Sequence, residues 1–147
     1  MTTGGLPPSV AATVYDRIGR FQNTQAPIER AAVERLITAG ALHDAGAVFE
    51  LGCGTGKLAR RLLAEVLPGT ATYLGGDVSP RMVALARRQV APWSSRAEVV
   101  QLDGTLPLPG SDRSVNRFIA AYVFDLLEHD YAKGVLRDAH RLLAEGG

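Results

Sequence analysis

The 147-residue chain has one cysteine, Cys53, an aromatic content of only 6%, and no excess of charge of either sign, the net being +1. A single cysteine excludes an internal disulfide and agrees with a reducing compartment, so a cytoplasmic location is expected. A charge this close to neutral gives no electrostatic ground for a nucleic-acid partner. Arg60-Arg61 and Arg87-Arg88 accordingly read as solvated helix faces, not as a phosphate track. No apolar run is long enough to span a bilayer, and Met1 to Ser9 lacks the basic start and apolar stretch of a signal peptide, so no membrane association is expected. His43, His129 and His140 show no metal-ligand spacing, and no metal site is expected.

The chain does have a hydrophobic content of 46%, enough for one domain with its own core. Val10, Val14, Ile18 and Phe21 mark one face of a short helix. A second helix opens at Ala26-Pro27 with Ile28, Val33, Leu36 and Ile37 as its buried stripe, and Gly40 stops it. Val48 to Leu51 is the first strand. Leu58 to Leu63 is helical, Ala71 to Gly76 is a second strand ending at Asp77, and Ser79-Pro80 caps a helix whose apolar face is Met82, Val83, Leu85, Ala86 and Val90. Ala97 to Leu102 is a third strand ending at Asp103. The continuous apolar run Phe118 to Phe124 suits a fourth strand buried on both faces near the sheet centre. Asp125 and Glu128 have capping-box spacing, and Tyr131, Val135, Leu136, Ala139, Leu142 and Leu143 trace a last helix ending at Gly146-Gly147. Strands alternating with helices predict an α/β fold: a Rossmann-like parallel sheet with helices on both faces and four strands. Residues 1–47 form an N-terminal helical segment or lid, and 48–147 the ligand-binding domain.

The chemistry concentrates in Glu50-Leu51-Gly52-Cys53-Gly54-Thr55-Gly56-Lys57, a glycine-rich loop between the first strand and a helix, where main chain and ligand can approach closely. A phosphate-cradling loop needs G-x-x-x-x-G-K-[ST]. Here Leu51 replaces its first glycine and Leu58 its hydroxyl. The dinucleotide pattern G-x-G-x-x-G counted from Gly52 and Gly54 meets Lys57 at its third glycine. Glu50 would repel a pyrophosphate and welcome a cation. A ligand with an ammonium group, a ribose and an adenine but no phosphate would use Glu50 for the ammonium, Asp77 for the ribose hydroxyls and Asp103 for the adenine amine; S-adenosylmethionine has all three. The plainer alternatives are a loop cap for Asp77 and a turn residue for Asp103, since aspartates favour both places.

Glu50 to Gly56 closely resembles the first motif of class I S-adenosylmethionine-dependent methyltransferases. Gly76-Asp77-Val78-Ser79-Pro80-Arg81-Met82 resembles the second-strand motif of that family, Leu102-Asp103-Gly104 the third, and Ser114 to Leu127 the fourth-strand region. The resemblance implies that Glu50 and the Gly52 and Gly54 backbone hold the methionine end, with Cys53 and Gly56 completing the loop and Cys53 packed beside it. It further implies that Asp77 takes the ribose hydroxyls, that Val78 and Met82 sandwich the adenine, that Asp103 accepts from the adenine amine with the Gly104 N–H nearby, and that the Ala120 or Ala121 backbone borders the methionine moiety. Asp125 is the candidate general base, its capping role being the alternative. Tyr15, Phe21, Gln22 and Tyr122 are candidates for lid and substrate wall. The run Ala121 to Phe124 is not the N-P-P-Y type of amino-group nucleic-acid enzymes, so a small-molecule methyl acceptor is expected.

The family fold generally has seven strands, and four are expected here, without the C-terminal ones. Asn116 and Glu145 also depart from a frequent aspartate and proline. The fourth strand then presents an apolar edge, which a second copy of the chain or a rearranged terminal helix is expected to cover. Beside a methyltransferase stand two other readings, a non-catalytic S-adenosylmethionine-binding fragment and an NAD-dependent oxidoreductase.

Overall fold

The computed structural model describes residues 26–147, with side chains from Arg30 onward. The helix expected over Val10 to Phe21, and with it Tyr15, Phe21 and Gln22, lies outside the described residues.

Helix α1 (Ala26–Ala39) leads through a short 3-10 turn into strand β1 (Ala47–Leu51). The Gly40 amide donates to the Leu36 carbonyl at 2.9 Å, closing α1 where the glycine stop predicts. After the glycine loop, α2 (Lys57–Arg61) runs into a π turn over Leu62–Val66. Leu67 N–H bonds to the Leu62 carbonyl at 2.8 Å, and Leu62, Leu63, Val66 and Leu67 are all buried. Strand β2 (Thr72–Asp77), helix α3 (Pro80–Val90) and strand β3 (Ala97–Gln101) follow. Ser79 Oγ accepts from the Met82 amide at 3.2 Å with Pro80 at the first helical position, as the sequence pattern predicts. Strand β4 (Arg117–Ile119) and helix α4 (His129–Leu142) complete the described elements.

The sheet is parallel throughout, in the order β3-β2-β1-β4. Alternating side chains divide the core between its two faces. Val48, Tyr73, Val99 and Ile119 pack with Ile37 of α1, Leu62 of the π turn and Val83 of α3. Phe49 and Leu51 pack on the other face with Val135 and Leu142 of α4. Phe49 stacks on Phe118 with ring centroids 5.4 Å apart. Side chains as completely buried as Phe49, Leu62 and Leu142 contribute roughly 2 kcal/mol each.

Two expectations are corrected. The fourth strand is neither long nor central: it has three residues and lies beside β1 at the sheet edge, where a four-strand sheet is also expected to leave it. Beyond Ile119 the backbone leaves the sheet, Tyr122 takes a left-handed φ of 59° with its side chain exposed, and Phe124–Leu126 forms a 3-10 turn. The apolar run therefore serves two purposes, strand and crossover, and Val123 reaches back over the glycine loop. Nor does Asp125 cap α4. The 3-10 turn consumes it, and the helix starts at His129 with Glu128 at the cap position.

The segment after α4 takes up the outer edge at Val115. Leu143 forms a parallel bridge with Val115, and the Ala144 amide donates to the Val115 carbonyl at 2.7 Å. On the inner side, Asn116 Oδ1 accepts from the Gly46 and Ala47 amides at 3.0 and 3.1 Å, fixing the start of β1. Arg96 donates to the carbonyls of Leu63, Pro68 and Ala71, tying the π turn to the start of β2. Among the described residues no helix is long and apolar enough to cross a membrane.

Candidate functional site

The carboxyl ends of β1 and β2 bring two carboxylates and a glycine loop together, the place where open parallel sheets bind ligands. Gly52, Gly54 and Gly56 all have positive φ, at 71°, 54° and 81°. Only glycine enters that region without strain. The loop is anchored by bonds from the Gly52 and Cys53 amides to the Gly76 carbonyl at 2.7 and 3.1 Å. The Gly54 amide donates to Asp77 Oδ2 at 2.9 Å, and the Ser79 amide donates to Asp77 Oδ1 at 2.9 Å. Asp77 thus ties the first loop to the second.

The three glycines have different surroundings. A methyl group at Gly56 would lie 2.7 Å from the Ala86 Cα of α3, and one at Gly52 would lie 2.5 Å from Val123 Cγ2. At Gly54 nothing stands within 4 Å. Gly52 and Gly56 are therefore required by packing, while Gly54 faces open space.

Glu50 is 3% exposed and Asp77 5%. Burial raises the Glu50 carboxyl to about 7, against the lowering effect of a 2.5 Å hydrogen bond from the Tyr73 hydroxyl, with Asp77 adding like-charge repulsion. Burial also raises Asp77, offset in part by the amides of Ser79, Gly54 and Val78. Neither carboxylate joins an ion pair among the described residues. Two buried acids with no cation beside them form a site that a positively charged ligand group would stabilise. Cys53 is buried, and its thiol is pushed up by burial, then by Glu50 and Asp77, which disfavours the thiolate.

The other expected residues are placed as follows. Val78 is half-buried and Met82 buried, at the start of α3. Asp103 is exposed just beyond β3, and its Oδ1 accepts from the Thr105 amide at 2.9 Å and hydroxyl at 2.6 Å, which holds the carboxyl below its ordinary range. Gly104 is buried with a φ of 79°. Ala120 is half-buried at the end of β4, and Asp125 is exposed in the following 3-10 turn. Among the described residues no group of three metal-binding side chains exists.

Two contributors escape a reading of motifs. Tyr73 lies two residues ahead of Gly75, which pairs with Glu50 in the β1–β2 register. The strand alternation puts Tyr73 on the Glu50 face, a signal available once the two strands are aligned. Val123 follows the strand end and covers Gly52, a contact that depends on the bend after Ile119 and has no local signature.

The profile of the family described as "Methyltransferase domain" matches residues 48–147. Among curated proteins, the chain is 30% identical over 103 residues to the tRNA N(3)-methylcytidine methyltransferase Mettl2 of Drosophila melanogaster, covering 68% of this chain and 32% of that protein. It is 33% identical over 82 residues to the malonyl-[acyl-carrier protein] O-methyltransferase of Anoxybacillus flavithermus, covering 56% of this chain and 28% of that one. The matched regions thus span about a third of each relative's length. A methyltransferase from Thiobacillus denitrificans, solved with S-adenosyl-L-homocysteine, shares the fold with a TM-score of 0.62 at 18% identity, covering 78% of this chain and 44% of that one.

Proposed function

The chain belongs to the methyltransferase domain family, and from that premise we propose that it binds S-adenosylmethionine at the glycine loop and transfers the methyl group to a small-molecule acceptor. The observation that carries this reading is the pair of buried carboxylates, Glu50 and Asp77, at adjacent strand ends around the open side of Gly54. Their acceptor oxygens suit a ligand that is cationic at one end and carries vicinal hydroxyls, and they do not suit a pyrophosphate. That also argues against an NAD-dependent oxidoreductase.

In this reading Glu50 takes the amino group of the ligand and the Gly52–Gly54 backbone lies along its methionine part. The ribose hydroxyls go to Asp77, whose two oxygens each accept one backbone amide and retain further lone pairs. Val78 and Met82 supply apolar contact for the adenine, with Asp103 and Gly104 at its edge. When bound, the cofactor supplies a methyl group activated by a sulfonium. The chain's own contribution is then largely alignment, since direct displacement needs the acceptor in line and little else. Asp125 is the residue we assign to proton acceptance from the acceptor. We assign 48–147 to cofactor binding and 1–47 to an N-terminal helical segment or lid.

The small-molecule reading is supported by the near-neutral charge and by the malonyl-[acyl-carrier protein] enzyme among the relatives. The tRNA enzyme among them favours a second reading, a nucleic-acid acceptor. Incubation with methyl-labelled S-adenosylmethionine, a metabolite pool and bulk tRNA in separate arms tests the two. Label in the small-molecule fraction is the expected result, and label in tRNA alone overturns it in favour of the second reading. Binding without transfer in either arm leaves a cofactor-binding protein that is not an enzyme by itself.

A further inference from the structure

Tyr73, Gly75 and Glu50 form a unit that the methyl-transfer reading does not use. In the parallel register Glu50 pairs with Gly75, and Tyr73 stands two residues earlier on the same face of β2. Its hydroxyl crosses over Gly75 to donate to Glu50 Oε2 at 2.5 Å, and both side chains are buried, at 2% and 3% exposure. A methyl group at Gly75 would stand 2.7 Å from that hydroxyl oxygen and 3.0 Å from Cε1 of the ring. Any side chain there would separate the phenol from the carboxylate. Gly75 needs no positive φ, so the space for Tyr73 is what the missing side chain provides.

We propose that Tyr73 is a positioning residue for cofactor capture, holding one oxygen of Glu50 through a hydrogen bond that Gly75 makes room for, so that the carboxylate meets the cationic amino group of the ligand in one fixed orientation. The proposal rests on the reading of this loop as the S-adenosylmethionine site. A tyrosine O–H can donate to a carboxylate but favours its charged form over the neutral acid, so the contact does two things. It removes rotational freedom from Glu50, and it keeps the acid ionised against a burial that works the other way. The groups acting on Glu50 are Tyr73 and Asp77 from β2, with Cys53 of the glycine loop close enough that Glu50 pushes its thiol up. Asp77 and the burial oppose ionisation, and among the described residues Tyr73 is the one group that favours it. Ligand capture is therefore proton-linked: Glu50 must shed its proton to receive a cation, and affinity falls on the acid side of a midpoint that burial raises and Tyr73 lowers.

The test is calorimetric titration of S-adenosylhomocysteine from pH 6 to 9 into the wild type, Tyr73→Phe, Gly75→Ala and Glu50→Gln, with folding checked by circular dichroism. The ligand's own titration is common to all four, so differences between profiles report the protein. Tyr73→Phe is expected to weaken binding about tenfold at pH 7 and to move the acid midpoint up by about one pH unit, one unit being one factor of ten. Gly75→Ala keeps the phenol but displaces its hydroxyl, and it shifts the midpoint the same way. It carries the test should Tyr73→Phe not fold. Glu50→Gln binds weakly, and its profile loses the step that belongs to Glu50. A midpoint unmoved in both Tyr73→Phe and Gly75→Ala overturns the proposal, whether affinity is retained or lost equally at every pH, because a merely structural tyrosine behaves that way. Absence of binding by the wild type across the whole range overturns instead the cofactor assignment on which the proposal stands.

Discussion

The Gly54 amide donates to Asp77 Oδ2 at 2.9 Å, joining the loop after β1 to the end of β2. This one bond holds the main chain of the glycine loop against the acid assigned to the ribose. The side of Gly54 where a side chain would stand is open.

Gly54 and Gly56 should therefore separate by experiment. Gly54→Ala meets no atom and suffers only the left-handed backbone penalty, about 1 kcal/mol in a thermal melt. Its methyl group enters the space assigned to the ligand, so S-adenosylhomocysteine affinity falls by about tenfold or more, equivalent to at least ~1.4 kcal/mol. Gly56→Ala collides with the backbone of α3 at Ala86, which cannot yield as a flexible side chain would, and is expected to cost upward of about 2 kcal/mol of stability. The reverse ranking in stability would contradict the packing described.

Glu50 makes the ligand-free protein less stable as pH rises. Its carboxyl sits at about 7 in the fold against an ordinary 4.5, so the folded state holds a proton that the unfolded chain has released. The stabilisation is complete below about 4.5 and is lost as pH climbs through about 7, an effect on the order of 3 kcal/mol for a fully buried group. Asp77, also raised, works in the same direction. Melting temperature should fall from pH 5 to pH 8 in the wild type and fall less in Glu50→Gln, which should be the more stable of the two at pH 8. Parallel curves would contradict the buried-acid description.

Arg141 holds the loop after β3 against α4. It pairs with Asp138 at 2.5 Å and Asp112 at 2.9 Å and donates to the carbonyls of Gly110 and Leu108. Burial pushes the Asp138 carboxyl up, but Arg141 and the Leu108 amide outweigh it and leave the group below its ordinary value. That stabilisation is present above pH ~4 and is lost as pH falls through the lowered value. Arg141→Met leaves Asp138 buried without its cation and is expected to cost about 2 kcal/mol in urea unfolding, with less added loss in acid than the wild type shows.

Much of the fold is legible in the sequence because its signals are local. Ser79-Pro80 starts a helix by chemistry within four residues, and Gly40 ends one in the same way. The parallel sheet follows from strands alternating with helices. The fourth strand is misread for the opposite reason: Phe118 to Phe124 is apolar throughout, yet a chain that bends over a neighbouring loop buries apolar residues as well as a strand does. What decides it is the fit of Val123 against Gly52, between residues far apart in the chain. In the site, Glu50 and the glycines stand out because they fall together in one short stretch after an apolar strand, and Asp77 because it ends the next strand. Tyr73 does not, since a tyrosine in a strand is ordinary until the β1–β2 register sets it against Glu50.

Calorimetric titration of the wild type and Asp77→Asn with S-adenosylmethionine and with NADH tests the proposal that the site formed by Glu50, Gly54 and Asp77 takes S-adenosylmethionine. In the variant one oxygen becomes an N–H donor facing a backbone N–H, either that of Gly54 or that of Ser79, so the tie between the loops is lost. One-site binding of S-adenosylmethionine by the wild type, a loss of about tenfold or more in Asp77→Asn, and no heat from NADH are expected. Unchanged affinity in the variant, or binding of NADH in place of S-adenosylmethionine, would contradict the proposal.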